Sequence, residues 1–319
     1  MKQVLSGLLK SLMLLSAALF MYSCQSTGSS SDIVAVDTHM HLFDVERKEG
    51  VPWPKKDDKV LYHTTLPKHF NPIAKKNNIK KVIVVQAGDW LIDNQWNLDI
   101  TEPHKDLYVG VVGDLVNIGT PEFKPVLTKL AKNPRFVGIR ILLRHKTRKL
   151  FSGTIWEDLQ LLSDKGLTLD VLMNDHKVCF SFEEVEPIAK KYPKLNVVMN
   201  HVAGYPIDGK GTIDPKWAAD FKRVAKYKNV YVKVSALLER SVIRPYSFKA
   251  ADYQSILEFL YQTYGEDRLI YGSDWPVTKR SGTYDQHKKI ITDFFAKKGS
   301  RVLKKVMYEN AHKAYHLKK

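Results

Sequence analysis

The segment Ile33-Val34-Ala35-Val36-Asp37-Thr38-His39-Met40-His41 decides how the chain is read: a short apolar run that ends in two histidines one residue apart. Runs of this kind, too short for a helix and rich in Val and Ile, are strands of a buried parallel sheet. Counting 33–38 as the first, seven more follow: 81–87 (KVIVVQA), 108–114 (YVGVVGD), 136–142 (FVGIRIL), 167–173 (LTLDVLM), 196–202 (NVVMNHV), 230–236 (VYVKVSA) and 269–275 (LIYGSDW). Amphipathic stretches separate them. Eight such units predict an α/β fold, a single-domain (β/α)8 TIM barrel.

The stretches between the strands carry helix signals. Ser181-Phe182-Glu183-Glu184 has the spacing of a capping box that opens a helix ending before Tyr192-Pro193. Asp214-Pro215 places proline in a first turn, and Ile256, Leu257, Leu260 and Tyr261 form one apolar face within 252–264. Residues 42–70, with Pro52, Trp53, Pro54 and the run KKDDK, are too long for a simple connection. Such a segment either shapes the mouth of a substrate site or is a solvated excursion.

The start of the chain belongs to a different class. Lys2 and Lys10 precede an apolar run from Leu12 to Tyr22, the layout of a signal peptide and too short to span a bilayer. Residues 1–23 are therefore assigned to the signal, 24–31 to a small, polar, flexible tether and 32–319 to the barrel. With Cys24 and Cys179 as the only cysteines, no disulfide can form if Cys24 is modified. Loss of Lys2 and Lys10 with the signal lowers the net charge from +16 to +14. The lysines are scattered over the expected helix surfaces and no base-reading motif appears, so nucleic acid is not expected as a partner. Anionic membrane surfaces or acidic saccharides suit such a charge better.

Chemistry is expected where polar residues interrupt apolar strands near their carboxyl ends. These are His39 and His41, Gln86, Asp114, Arg140, Asp170, His201, Lys233 and Asp274. Strand alternation puts His39 and His41 on one side, as metal ligands, as a polar pair for a substrate carbonyl, or merely as strand caps. Asp114 and Lys233 read equally well as satisfied core groups. Asp274 stands apart, because Gly272 and Pro276 bracket it at a sharp strand exit.

Together these motifs resemble the amidohydrolase superfamily, and within it the amidohydrolase-2 branch of sugar-lactonase-like enzymes, over residues 33–317. The carriers are D-T-H-M-H in the first strand, G-I-R in the fourth, N-H-V-A-G-Y-P after the sixth, K-V-S-A-L on the seventh, G-S-D-W-P on the eighth and E-N-A-H-K-A-Y near the end. The resemblance implies a lactone hydrolase with catalytic Asp274 and His201. Gln86, Arg140, Asp170, Trp275 and Trp53 would bind substrate. One divalent metal, Zn²⁺, would sit on His39, His41, His201 and Asp274, or the reaction would be metal-free, with histidines polarising the carbonyl and Asp274 taking the water proton.

Arg140 stands where binuclear relatives carry a bridging lysine, and a guanidinium cannot be carboxylated, so at most one metal is implied. Asp170 stands where decarboxylase-like relatives place a histidine; the nearest histidine, His176, lies six residues beyond it. Asn200 and Tyr205 depart from the lactonase-like pattern, which has aspartate and a basic residue there. Two alternatives remain: a metal-dependent decarboxylase or other lyase, and a non-catalytic saccharide-binding barrel with Trp53, Trp90 and Trp275 as stacking platforms. Met21-Tyr22-Ser23-Cys24 resembles a loose bacterial lipobox, which implies lipidation of Cys24 and anchoring in the cell envelope, periplasmic or outer-membrane. Plain cleavage and secretion is the alternative.

Overall fold

The computed structural model describes residues 30–141, 154–173 and 180–318. Its sheet runs β1 (Ala35–Met40), β2 (Ile79–Val85), β3 (Tyr108–Gly113), β4 (Phe136–Ile141), β5 (Thr168–Val171), β6 (Val197–Met199), β7 (Val230–Val234) and β8 (Leu269–Tyr271). Neighbours in sequence are neighbours in space, all seven pairings are parallel, and each expected strand is found. Helices alternate with the strands, as parallel pairing requires. The signal segment 1–23, Cys24, most of the tether, His176 and Cys179 fall outside the described residues.

The barrel closes between its first and last strands. The His41 N–H donates to the Trp275 carbonyl at 2.8 Å and the Asp274 N–H to the His39 carbonyl at 2.7 Å. β1 lies two residues later than its sequence suggests, running through Asp37 and on to His39 and Met40. The Asp37 carboxylate is fully buried and accepts from the Ser273 and His39 N–H groups and the Tyr284 hydroxyl, at 2.9, 3.1 and 3.0 Å. A buried acid is tolerated where its oxygens are occupied in this way.

The main apolar core lies between sheet and helices, and a second fills the barrel from Ile83, Val85, Val112, Val198 and Ile270. Ala314 and Tyr315 close the amino end of the barrel: the Thr168 hydroxyl donates to the Ala314 carbonyl at 2.8 Å. The opposite, carboxyl end is left open. Local signals act as the sequence predicts. The Ser181 N–H donates to Glu184 Oε2 at 2.7 Å, and the Asp214 side chain caps the helix Pro215–Ala225 by accepting from the Lys216 and Trp217 N–H groups.

Candidate active site

At the carboxyl end of the barrel a cavity of about 470 Å³ is lined by His41, Trp53, Arg140, His201, Glu239 and Asp274, among others. Asp274 Oδ1 lies 3.5 Å from His39 Nε2, 3.3 Å from His41 Nε2 and 3.9 Å from His201 Nε2. β1 supplies the first two histidines, the exit of β6 the third and the exit of β8 the acid. Gly272 is required by this packing, since a Cβ there would stand 2.8 Å from that of His39. The segment after β1 does shape the mouth: the Trp53 ring lies 5.7 Å from that of His41.

Backbone strain gathers in the same place. His201, Val202 and Ala203 have φ of 55°, 48° and 53°, Ala236 54° and Asp274 59°. Five of the seven non-glycine residues with positive φ among those described thus lie just beyond β6, β7 and β8. Left-handed backbone at a branched residue such as Val202 is unfavourable, and each such residue costs of order 1–3 kcal/mol, which the surrounding structure must offset. The strained turns direct His201 and Asp274 at one another.

Beneath the cavity Lys233 Nζ donates to Asp170 Oδ2 at 2.7 Å and to the Thr38 carbonyl at 2.9 Å, and lies 3.3 Å from His39 Nδ1. The Asn200 amide, at 3.0 Å, and the Tyr315 hydroxyl, at 2.8 Å, also donate to Asp170. Asp170 was expected to touch substrate. It is instead fully buried, with both oxygens engaged, and does not line the cavity. The departure at Asn200 follows, because a carboxylate there would face that of Asp170 whereas an amide donates to it.

Trp275 is likewise turned away, with its ring 5.0 Å from that of Phe70 in the outer core. Gln86 is buried behind the lining, where its main-chain carbonyl accepts from Arg140 Nη2 at 2.7 Å. Trp90 flanks the Arg47 guanidinium rather than the cavity. Of the residues expected to bind substrate, Arg140 and Trp53 reach the cavity wall.

The donor set suits a divalent cation. His41 Nδ1 lies 2.9 Å from the Val85 carbonyl, which can only accept, so Nδ1 carries the proton and the Nε2 lone pair faces Asp274. A lone pair facing a carboxylate oxygen needs a cation or a proton between them. His201 Nδ1 bonds the Ser235 hydroxyl at 2.9 Å, which leaves its Nε2 available too. The ligand atoms of His39, His41 and Asp274 all lie within 4.8 Å of one another.

His39 is the least simple member. Its ring nitrogens face Lys233 Nζ and Arg140 Nη1, each at 3.3 Å, and a neutral imidazole can accept from only one of them. Burial, then the Lys233 charge, hold His39 far below the usual histidine range, so it is neutral. Burial also pushes Lys233 down, against the pull of Asp170.

Burial lowers His201 to about 3, against the opposing charge of Asp274. For Asp274 burial acts upward, but His201, His41 and Arg140 outweigh it and leave the acid below the ordinary carboxylate range. A carboxylate held ionised in this way can accept a proton from water.

Sequence reasoning missed Glu239 and Arg240, which line the cavity from the short helix Leu237–Arg240 beyond β7. The available signal was a pair of opposite charges directly after the apolar exit Ala236-Leu237-Leu238. Burial, then the Asp274 charge, push Glu239 up to about 7, while the Ser281 hydroxyl acts against them.

Comparison with known proteins places this arrangement. The chain is 24% identical over 255 residues to the L-fucono-1,5-lactonase of Burkholderia ambifaria, covering 79% of this chain and 83% of that one. Its fold is similar to that of an amidohydrolase from Burkholderia multivorans with bound zinc, with a TM-score of 0.78 at 19% identity, across 90% of this chain and all of the other. It is also similar to a 5-carboxyvanillate decarboxylase from Novosphingobium aromaticivorans, with a TM-score of 0.64 at 14% identity over 91% and 98% of the two chains. The amidohydrolase family matches residues 36–317, the barrel from β1 almost to the end of the chain, and this protein belongs to that family.

Proposed function

We propose that this protein opens a cyclic ester, a sugar lactone, by attack of an activated water. The observation that carries the reading is Asp274 Oδ1, set within 3.9 Å of three imidazole nitrogens at the cavity wall. The lactonase relative supports the substrate class. Asp274 takes a proton from water as its oxygen attacks the lactone carbonyl. Arg140, anchored through Nη2 to the Gln86 main-chain carbonyl, has Nη1 beside His39, where it can hold an oxygen of the bound lactone. As the ring C–O bond breaks, the proton on Asp274 passes to the departing oxygen. A divalent ion, proposed to be Zn²⁺, held by His41, His201 and Asp274 with His39, would polarise the carbonyl and acidify the water.

A pH-indicator screen of sugar lactones on the purified protein, beside its metal analysis, tests this. Acid release from at least one aldonolactone and no more than one metal per chain are expected. No acid release from any lactone would overturn the hydrolase reading, and two metals per chain would overturn the role given to Arg140.

Arg140→Lys should chiefly raise KM, because one ammonium cannot hold the Gln86 carbonyl and a substrate oxygen in the fixed geometry of a guanidinium. Steady-state kinetics on the active lactone decides it. A fall in kcat at unchanged KM would remove Arg140 from substrate binding.

We further propose that the chain is exported and anchored through a lipid on Cys24, the reading that the Lys2 to Cys24 layout supports. Cys24→Ala should abolish incorporation of a fatty-acid probe during growth, since acylation needs the thiol. Equal labelling of mutant and wild type would remove the anchor.

A further inference from the structure

Two polar atoms in the cavity wall lack a partner among the described residues: Glu239 Oε2 and Arg240 Nε, both buried. Each is held in place. Glu239 Oε1 accepts from the Ser281 hydroxyl at 2.7 Å, and the Arg240 carbonyl accepts from the Ile207 N–H at 2.8 Å. The helix that carries them is fixed at its start by the left-handed Ala236 and by the Leu237 N–H, which donates to His287 Nε2 at 3.3 Å. Adjacent residues thus offer an acceptor and a donor from a rigid support. They face the cavity that holds Asp274, and no salt bridge joins them to each other.

Buried polar atoms without a partner are rare in native proteins, and a ligand is one explanation for them. A partner for Glu239 must donate to a carboxyl oxygen, and a partner for Arg240 must accept from a guanidinium N–H. A hydroxyl does both. It also suits Glu239 in either protonation state, because it can donate to a carboxylate or accept from a carboxylic acid.

We propose that Glu239 and Arg240 form a subsite that reads a hydroxyl of the lactone, so the enzyme selects hydroxylated lactones over bare ones. The proposal rests on the lactonase reading for its substrate but not for its geometry. A site built to bond a hydroxyl discriminates strongly against an analogue lacking it, because its own buried groups are then left unpaired. Glu239→Leu removes the acceptor and Glu239→Gln keeps one.

The test compares kcat/KM on D-glucono-1,5-lactone and δ-valerolactone, with calorimetric binding of D-gluconate as a readout independent of turnover. Wild type should favour the hydroxylated lactone by about 100-fold or more. Glu239→Leu should lose about 100-fold on it and at least tenfold less on δ-valerolactone, with Glu239→Gln in between. D-gluconate should bind wild type and be weakened in Glu239→Leu. An equal loss on both lactones, or gluconate binding indifferent to Glu239, overturns the subsite. Glu239-dependent gluconate binding without hydrolysis of any lactone keeps the subsite and sinks the lactonase reading. Neither hydrolysis nor gluconate binding sinks both.

Discussion

Asp274→Asn should cost at least 10²- to 10⁴-fold in turnover, about the range of a general base, while the barrel stays folded. The substitution is nearly isosteric. The Asp274 N–H bond to the His39 carbonyl at 2.7 Å is main-chain and survives it, and asparagine tolerates the left-handed backbone that this position requires at φ 59°. What disappears is the charge facing the three imidazoles and the capacity to take a proton. His41→Asn should match the loss and also lower metal content, because the Val85 carbonyl aims the His41 Nε2 lone pair at the same point. Kinetics and thermal denaturation of both variants check this. If Asp274→Asn kept more than about a tenth of wild-type turnover, Asp274 would not be the base, and the saccharide-binding reading of the barrel would gain.

The second large effect is on stability. Lys233→Met should destabilise the protein by about 3–5 kcal/mol, since it leaves the Asp170 carboxyl in the barrel interior without its paired cation and with only the Asn200 amide and the Tyr315 hydroxyl as donors. Lys233 and Asp170 are both fully buried, so water cannot replace the missing charge. Combining Lys233→Met with Asp170→Leu should recover much of the loss, because an apolar pair leaves no buried charge behind. Urea denaturation of the single and double variants measures both. A cost below about 1 kcal/mol for Lys233→Met would mean that the pair is not the interior anchor described here.

The barrel was legible in the sequence because a strand buried on both faces writes a continuous apolar run. His39, His41, His201 and Asp274 were legible because each interrupts or ends such a run. Asp170 interrupts one in the same way, and a sequence cannot say which polar strand residues face the cavity and which face another charge. The partners that decide it, Lys233 and Tyr315, lie 63 and 145 residues away. Trp275 was misplaced for a related reason: beside Asp274 it belongs to the site by position, but the turn that exposes the acid sends the indole into the outer core. Glu239 and Arg240 were overlooked because they sit on a short helix beyond the strand end rather than on the strand.

The seam at which the barrel closes has a kinetic consequence. The His41–Asp274 contact joins residues 233 positions apart, and bringing such distant segments together carries a large loop-closure cost and is slow. Intermediate strands can pair with sequence neighbours well before β1 meets β8. The bonds that finish the cylinder are main-chain bonds of His39, His41 and Asp274 themselves. We therefore expect catalytic competence to arise last during refolding, after most helical signal has returned. Activity regained in step with the earliest helical phase would show that the seam forms early.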